Sequence, residues 1–164
     1  MSGTLNVGGK PIFSHSDATD KVTYGSGVPA GTVINTKYNT YSTATPIGTS
    51  ITSTGLTCQI TPSSTSNLLI FHINIHYYIE SASIAFELRI NDGSTDVYTD
   101  NGYAYSRNSD GTERAEGRYP VLAIINPASS GSVITYTVKM LGNVAFTAQH
   151  NSSPSQIVIQ EIAQ

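Results

Sequence analysis

The clearest pattern in the chain is the strict alternation over residues 68–79, which read LLIFHINIHYYI. Every odd position, from Leu69 to Ile79, is aliphatic or aromatic, and this predicts the core face of a long β-strand because strand side chains alternate between two faces. The even face is neither typical of solvent nor typical of a core, and it predicts contact with a neighbouring subunit. Its residues are Leu68, Ile70, His72, Asn74, His76 and Tyr78.

Runs of β-branched and aromatic residues, separated by Gly, Pro, Asn, Asp and Ser, recur from Thr32 to the end of the chain. Apolar residues nowhere keep a helical period over three turns. This spacing predicts an all-β antiparallel sandwich over residues 32–164. The predicted strands are residues 32–38, 46–52, 56–61, 68–79, 83–90, 96–99, 114–125, 133–141, 144–149 and 156–162.

Turn residues mark the ends of several of these strands. Asn91-Asp92-Gly93 and Gly142-Asn143 each predict a tight hairpin turn between consecutive strands. The segment Ile60–Asn67, with Pro62 and a Ser/Thr run, predicts an exposed corner, because proline donates no ladder bond and hydroxyl side chains favour local turns.

The first 31 residues differ from the rest, because they are rich in glycine and carry only short apolar clusters. Gly8-Gly9 and the glycines near residues 25–31 favour hairpin-like pieces over a helix. We expect residues 1–31 to form an N-terminal arm with little core of its own. The apolar residues Leu5, Val7, Ile12 and Phe13 would then be available to contact a partner.

The composition narrows the classes of partner. Charged residues make up 12% of the chain and the formal net charge is −3, whereas Ser and Thr together account for 41 of 164 residues. Without a basic excess the chain lacks the electrostatic signature of nucleic-acid binding. The apolar runs are far shorter than a membrane span, and no leader pattern follows Met1. We therefore expect neither nucleic acid nor membrane as a partner.

Candidate metal ligands are few. His72 and His76 share a face, but four residues along a strand span about 13 Å, which is too far for one ion to bind both. We expect hydrogen-bonded interface histidines, and the alternative is a ring of one histidine and its copies around a three-fold axis. Cys58 is the only cysteine, and its alternation with Leu56 and Ile60 predicts a buried small side chain.

The sequence contains no motif of a known catalytic site. It lacks a G-x-S-x-G elbow, a phosphate-binding loop, a dinucleotide-binding glycine pattern and an H-E-x-x-H pair. We expect no enzymatic activity and no cofactor.

Charge is concentrated between Asn91 and Arg118, where tyrosines alternate with acidic and basic residues. The carboxylates lack the spacing of a calcium loop, so ion pairing is expected in preference to a bound cation. Tyrosine with Ser, Gly and Asn suits contact with protein or glycan, and the alternative is a loop that contacts nothing. The candidate recognition residues are Tyr103, Tyr105, Arg107, Asp110 and Arg114.

Three segments resemble the β-rich distal domains of tailed-bacteriophage virion proteins. They are GTVINT at residues 31–36, GLTCQITPSSTSNLLIFHINI at residues 55–75 and SQIVIQEIA at residues 155–163. The resemblance covers about residues 31–164. It implies a jelly-roll sandwich of tumour-necrosis-factor-like shape, assembled as a homotrimer through the even face of residues 68–79.

The same resemblance implies a place on the virion. Because the arm leads directly into the globular domain, without a shaft, we expect a capsid decoration or cement protein on the outer surface of the head. Its arm would bind the major capsid protein through Leu5, Val7, Ile12 and Phe13. The alternative is a short tail-fibre or head-fibre protein that binds a host surface receptor, either glycan or protein.

Overall fold

β-strands make up nearly all of the regular structure in the chain. The computed structural model describes residues 3–16, 21–24, 27–81, 83–105 and 114–164. In these residues no helix is long and apolar enough to cross a membrane. The strands are β1 (Gly3–Val7), β2 (Lys10–Ser16), β3 (Lys21–Tyr24), β4 (Val33–Tyr41), β5 (Thr45–Ile47), β6 (Thr52–Ile60), β7 (Leu68–Ile79), β8 (Ser83–Asn91), β9 (Asp96–Tyr105), β10 (Ala115–Ile125), β11 (Ile134–Gly142), β12 (Phe146–Ala148) and β13 (Ser155–Ile162).

Residues from Val33 onward form the predicted all-β antiparallel sandwich, which is confirmed. One sheet has the order β4-β13-β7-β10, with the short strands β12 and β5 continuing from β7 beyond the end of β13. The other sheet has the order β6-β11-β8-β9. Alternate apolar side chains of both sheets meet in one core, where the rings of Phe71 and Tyr136 pack edge to face with centroids 4.9 Å apart.

Strand β7 lies at the centre of the first sheet, and its bounds agree with the prediction. Its predicted core face is confirmed, since Leu69, Phe71, Ile73, Ile75 and Ile79 are all buried. β10 pairs with β7 along one edge from residue 69 to residue 79. On the other edge of β7, β13 pairs with residues 68–74 and β12 pairs with residues 77 and 78.

A short unpaired interval between β12 and β13 is closed by individual hydrogen bonds. The backbone N–H of His76 donates to the Ser155 hydroxyl over 3.0 Å, and the backbone N–H of Gln149 donates to the His76 carbonyl over 3.0 Å. Gln149, Asn151 and Ser152 have φ values of 55°, 51° and 59°, in the left-handed region. This tight turn lets the chain leave β12 and return as β13 on the same edge of β7.

Both predicted tight hairpins need correction. β8 and β9 do form a hairpin, but four residues separate Asn91 from Asp96, and the Asp92 carboxylate accepts hydrogen bonds from the N–H groups of Ser94 and Thr95. Gly142 and Asn143 do not join a hairpin at all, because β11 and β12 belong to different sheets. Alternation identifies the strands but cannot tell whether the next strand pairs with the last one or crosses the core.

Strand β9 is longer than predicted, since it continues to Tyr105 instead of ending at Thr99. The prediction missed its second half because the inward positions there are Gly102 and Ala104, which give a weak apolar pattern. Gly102 is small because the rings of Phe86 and Tyr119 occupy the space that a Cβ atom would need. The ring of Phe86 on the adjacent strand and the ring of Tyr119 from the other sheet thus fill the space of the missing side chain.

The corner between β6 and β7 is less exposed than predicted, because Pro62 and Asn67 are buried. The carboxylate of Glu161 on β13 is 1% exposed and holds this corner in place. Its Oε1 accepts from the Ser63 backbone N–H, the Ser63 hydroxyl and the Asn67 amide, each over 2.7 Å. Two segments far apart in the sequence are thereby joined at one end of the sandwich.

The N-terminal residues form a separate three-stranded antiparallel sheet, in the order β1-β2-β3. Gly8 and Gly9, with φ values of 58° and 77°, make the turn between β1 and β2, as the glycine pattern predicted. The chain then enters the sandwich beside its own C-terminal end, where Gly31 N–H donates to the Ala163 carbonyl and Ala163 N–H donates to the Thr32 carbonyl.

Glu161→Ala is expected to lower the free energy of unfolding by about 2–4 kcal/mol, because it removes the acceptor of three hydrogen bonds, from the Ser63 N–H, the Ser63 hydroxyl and the buried Asn67 amide. Urea denaturation at a fixed protein concentration measures this loss. The matched control is Glu80→Ala, which removes an exposed carboxylate that accepts from the Tyr78 hydroxyl and should change stability by about 0.5 kcal/mol or less. Equal effects of the two substitutions would contradict a structural role for Glu161.

Candidate subunit interface

The outer face of the first sheet carries three rows of four residues across strands β4, β13, β7 and β10. Paired residues in an antiparallel sheet point to the same side, so the register defines each row. The central row is Tyr38, Val158, His72 and Leu122. The rows on either side are Thr36, Gln160, Ile70 and Ile124, and Thr40, Gln156, Asn74 and Pro120.

None of these twelve residues is Asp, Glu, Lys or Arg, and several are large and exposed. Tyr38 is 78% exposed, Leu122 is 59% exposed and Ile124 is 54% exposed. Four strands spaced by about 4.8 Å make the rows about 14 Å wide between backbones. A depression of about 460 Å³ lies at the centre, between Asn74, Leu122 and Val158. An uncharged patch with exposed apolar side chains is the composition of an interface centre.

Asn74 lines this depression. Its side-chain Oδ1 is buried and has no hydrogen-bond partner among the described residues. A buried carbonyl oxygen without a donor costs about 1–3 kcal/mol.

The predicted interface residues of β7 do not all remain accessible. Leu68, Ile70, Asn74 and Tyr78 are half-buried and His72 is exposed, so these five keep surface for a neighbour. His76 is different, because it is 6% exposed within its own chain.

The side chain of Glu116, on β10, contacts the side chain of His76. His76 Nε2 lies 2.9 Å from Glu116 Oε1, and His76 Nδ1 is buried without a partner among the described residues. Tyr78 also has a local contact, since its ring stacks on His150 with centroids 4.1 Å apart. The end of β7 beyond Asn74 is thus partly closed by residues of the same chain.

His72 and His76 do not converge on one point, since His76 is bonded to Glu116 while His72 lies in the uncharged central row. Nowhere in the described part of the chain do three His, Cys, Asp or Glu side chains come together as a metal site. Cys58 is buried as predicted, and burial raises the pKa of its thiol.

Residues outside β7 that complete this face were not identified by the sequence analysis. Tyr38 lies on β4, Val158 on β13, and Leu122 and Ile124 on β10. A signal was present in β10, where the apolar run from Val121 to Ile125 fills both faces of the strand. Which of these side chains point outward became clear only from the register with β7.

The outer face of the second sheet is charged, in contrast to the three rows on the first. Arg89 on β8 forms ion pairs with Glu87 and with Asp96, the latter over 2.9 Å, and Lys139 lies 3.9 Å from Asp96. Of the charged residues between Asn91 and Arg118, Asp96 is ion-paired here, while Arg107, Asp110 and Glu113 lie outside the described residues. The hydrogen bond from Arg89 and a second one from Asn91 lower the pKa of Asp96.

The candidate recognition residues fall into three groups. Tyr103 and Tyr105 lie on β9 and are 71% and 78% exposed, so their expected position in a loop is wrong. Arg107 and Asp110 lie outside the described residues. Arg114 is exposed just before β10.

Three of the four predicted attachment residues share a face of the N-terminal sheet. Leu5 pairs with Phe13, and Val7 lies two residues along the same strand, so the three side chains point to one side. They are 57%, 37% and 65% exposed, respectively. Ile12 is the extra residue where the register shifts, and it is half-buried.

Asp96→Asn is expected to reduce the acid sensitivity of the fold. A carboxyl whose pKa is lowered in the folded state contributes stability above its ordinary pKa of 3.8, and this contribution is lost as the pH falls below that value. The substitution should cost about 0.5–1 kcal/mol near neutral pH and almost nothing at about pH 2. Urea denaturation across this pH range measures the difference.

Lys139→Met is the control for this experiment. It removes the most distant partner of Asp96 and keeps Arg89, so most of the pH dependence of the wild-type protein should remain. An Asp96→Asn profile parallel to that of the wild-type protein would contradict the assignment of the ion pair.

Comparison with known proteins does not supply a family. No family model matches the chain, and no curated protein matches its sequence.

Proposed function

We propose that the chain is a virion structural protein of a tailed bacteriophage, a homotrimer that decorates the capsid and attaches through its N-terminal sheet. The observation that carries the assembly is the uncharged outer face of the first sheet. The place on the virion rests on the resemblance of residues 31–36, 55–75 and 155–163 to phage distal domains.

The contrast between the two outer faces supports assembly through the first sheet. Arg89, Glu87, Asp96 and Lys139 all lie on the second sheet, where water can solvate them. Covering the three rows with a second copy removes apolar side chains from water and desolvates no formal charge, since Glu116 and Arg118 lie on β10 outside these rows. Burial of apolar surface contributes about 25 cal/mol for each Å².

A cyclic trimer also fits the distribution of residues along the central row. Tyr38 and Leu122 lie on opposite edge strands of the sheet. In a ring, a contact joins different surfaces of two copies, so the β10 edge of one copy would pack on the β4 side of the next. The Asn74 amide of each copy would lie near the common axis, where it can meet its symmetry mates.

The order in which the chain visits the sheets supports the jelly-roll part of the proposal. β4, β7, β10 and β13 form the first sheet, while β6, β8, β9 and β11 form the second. Eight strands divided in this way, with repeated crossings between sheets, are typical of a jelly roll.

The N-terminal sheet supports the attachment part. Leu5, Val7 and Phe13 present an apolar face that such a small sheet cannot bury by itself, since isolated sheets of this size are marginally stable. Docking on the major capsid protein would cover it. Three arms on one trimer would also gain avidity, because binding of the first raises the effective concentration of the others.

Sedimentation velocity of the intact chain at about 20 µM should show one species of three times 17.4 kDa. Leu122→Glu should weaken assembly at least tenfold, because it buries a carboxylate without a partner at each interface. The matched control is Val133→Glu, since Val133 is 63% exposed but lies outside the three rows, and this variant should remain trimeric. A monomeric wild-type protein would contradict the proposal, and a dimer would contradict its symmetry.

Deletion of residues 2–30 should leave a folded trimer that no longer binds capsids of the encoding phage. Leu5→Asp in the intact chain should also weaken capsid binding, whereas Thr4→Asp, on the opposite face of β1, should have little effect. Co-sedimentation with capsids stripped of this protein measures both. Undiminished binding of the deletion variant would contradict attachment through the arm.

A further inference from the structure

A hollow of about 370 Å³ lies on the outer face of the second sheet, beside Glu87, which forms an ion pair with Arg89. It exists because Ala85 is small. The register places Ala85 beside Tyr103 of β9. On the other side of Ala85, its backbone N–H and its carbonyl both form hydrogen bonds with Asn143. A short side chain between two longer ones leaves a depression whose floor is the sheet itself.

The walls of this hollow bring together an aromatic ring and several hydrogen-bonding groups. Tyr103 forms one side with a ring that is 71% exposed. Glu87, Asn101 and Leu141 make up the adjacent row across the sheet, and Thr49 contributes from the loop after β5.

The amide of Asn143 has a defined orientation. Its Oδ1 accepts from the Ala85 backbone N–H over 2.9 Å, and its own backbone N–H donates to the Ala85 carbonyl over 2.9 Å. The side-chain NH₂ group is therefore left to donate to a bound molecule. Asn101 offers a second amide, which can donate and accept at the same time.

From this combination we propose that the hollow is a binding site for a neutral saccharide. The less polar face of a sugar ring can pack on the Tyr103 ring, while its hydroxyls bond to the two amides and to the Glu87 carboxylate. The volume is at the lower end of the range of small-molecule sites, which suits a short sugar unit and excludes a large ligand.

The charges of the lining favour a neutral ligand over an anionic one. Among the described residues that line the hollow, Glu87 is the only charged one, and none is a lysine or an arginine. Arg89 is already engaged by Glu87 and Asp96. An acidic sugar would therefore meet a carboxylate without a free cation beside it.

This site does not depend on the proposed trimer. Every lining residue belongs to one chain, and the hollow lies on the sheet opposite the uncharged face. It would give each copy a separate, outward contact with polysaccharide. Several copies displayed together would bind a polysaccharide more tightly than one copy, through avidity.

The test is a titration of the intact, isotope-labelled protein with the methyl glycosides of glucose, galactose, mannose and N-acetylglucosamine, up to about 100 mM, a range that covers the weak affinity of a shallow site. At least one of them should produce saturable shifts in the backbone amide signals of Gly102 and Gly142, which lie in the hollow. Glucuronic acid, which carries a carboxylate on the glucose ring, should bind at least fivefold more weakly than glucose.

Two variants and one control locate the binding. Tyr103→Ala should weaken the affinity about threefold to tenfold. Ala85→Ile should abolish the shifts because its side chain fills the hollow, and a β-branched residue is well tolerated on a strand. Tyr105→Ala removes an equally exposed tyrosine that does not line the hollow, so it should change the affinity less than twofold.

Several outcomes would overturn the proposal. They are the absence of saturable shifts with all four glycosides, shifts centred elsewhere on the protein, and unchanged binding by Ala85→Ile. Binding of glucuronic acid as tight as that of glucose would overturn the neutral class of ligand.

Discussion

The structure depends on the two-sided position of strand β7. Its odd side chains are buried in the core of the sandwich, and its backbone is paired on both edges, so the strand cannot rotate or slip without losing both contributions. This constraint fixes the even side chains on the outer face. The neighbouring strands then add their own outward residues to the same face, because the register is set by β7. The position of β7 therefore determines which residues of the neighbouring strands share its outer face.

The outer faces of the two sheets differ in the chemistry of their side chains. The three rows on the outer face of the first sheet hold apolar and neutral residues, whereas the outer face of the second sheet carries the ion pairs around Arg89 and an aromatic hollow beside Tyr103. In the proposed trimer, the first face would be covered by neighbouring copies and the second would remain in contact with the surroundings. Only 12% of the residues of the chain are charged, and none of these lies in the three rows that we propose to be buried.

Hydrogen bonds hold the ends of the sandwich, and they depend on particular donors and acceptors more than the apolar contacts of the core do. Glu161 joins the last strand to the corner before β7 through three hydrogen bonds, and the C-terminal backbone at Ala163 pairs with Gly31 and Thr32. The Ser-rich corner before β7 and the final strand are thereby joined.

The sequence alone determined the class of fold and the bounds of β7, because strict alternation over twelve residues leaves one arrangement of its two faces. It also located the glycine turn of the N-terminal hairpin and the burial of Cys58. The tertiary structure alone decided which strands pair, that His76 is covered by Glu116, and that Tyr38, Val158 and Leu122 join His72 in one row. The residues paired in these contacts are between 40 and 120 positions apart, and no local pattern reports the register that brings them together. The same reason hid the second half of β9, where the space for Gly102 is set by rings from two other strands.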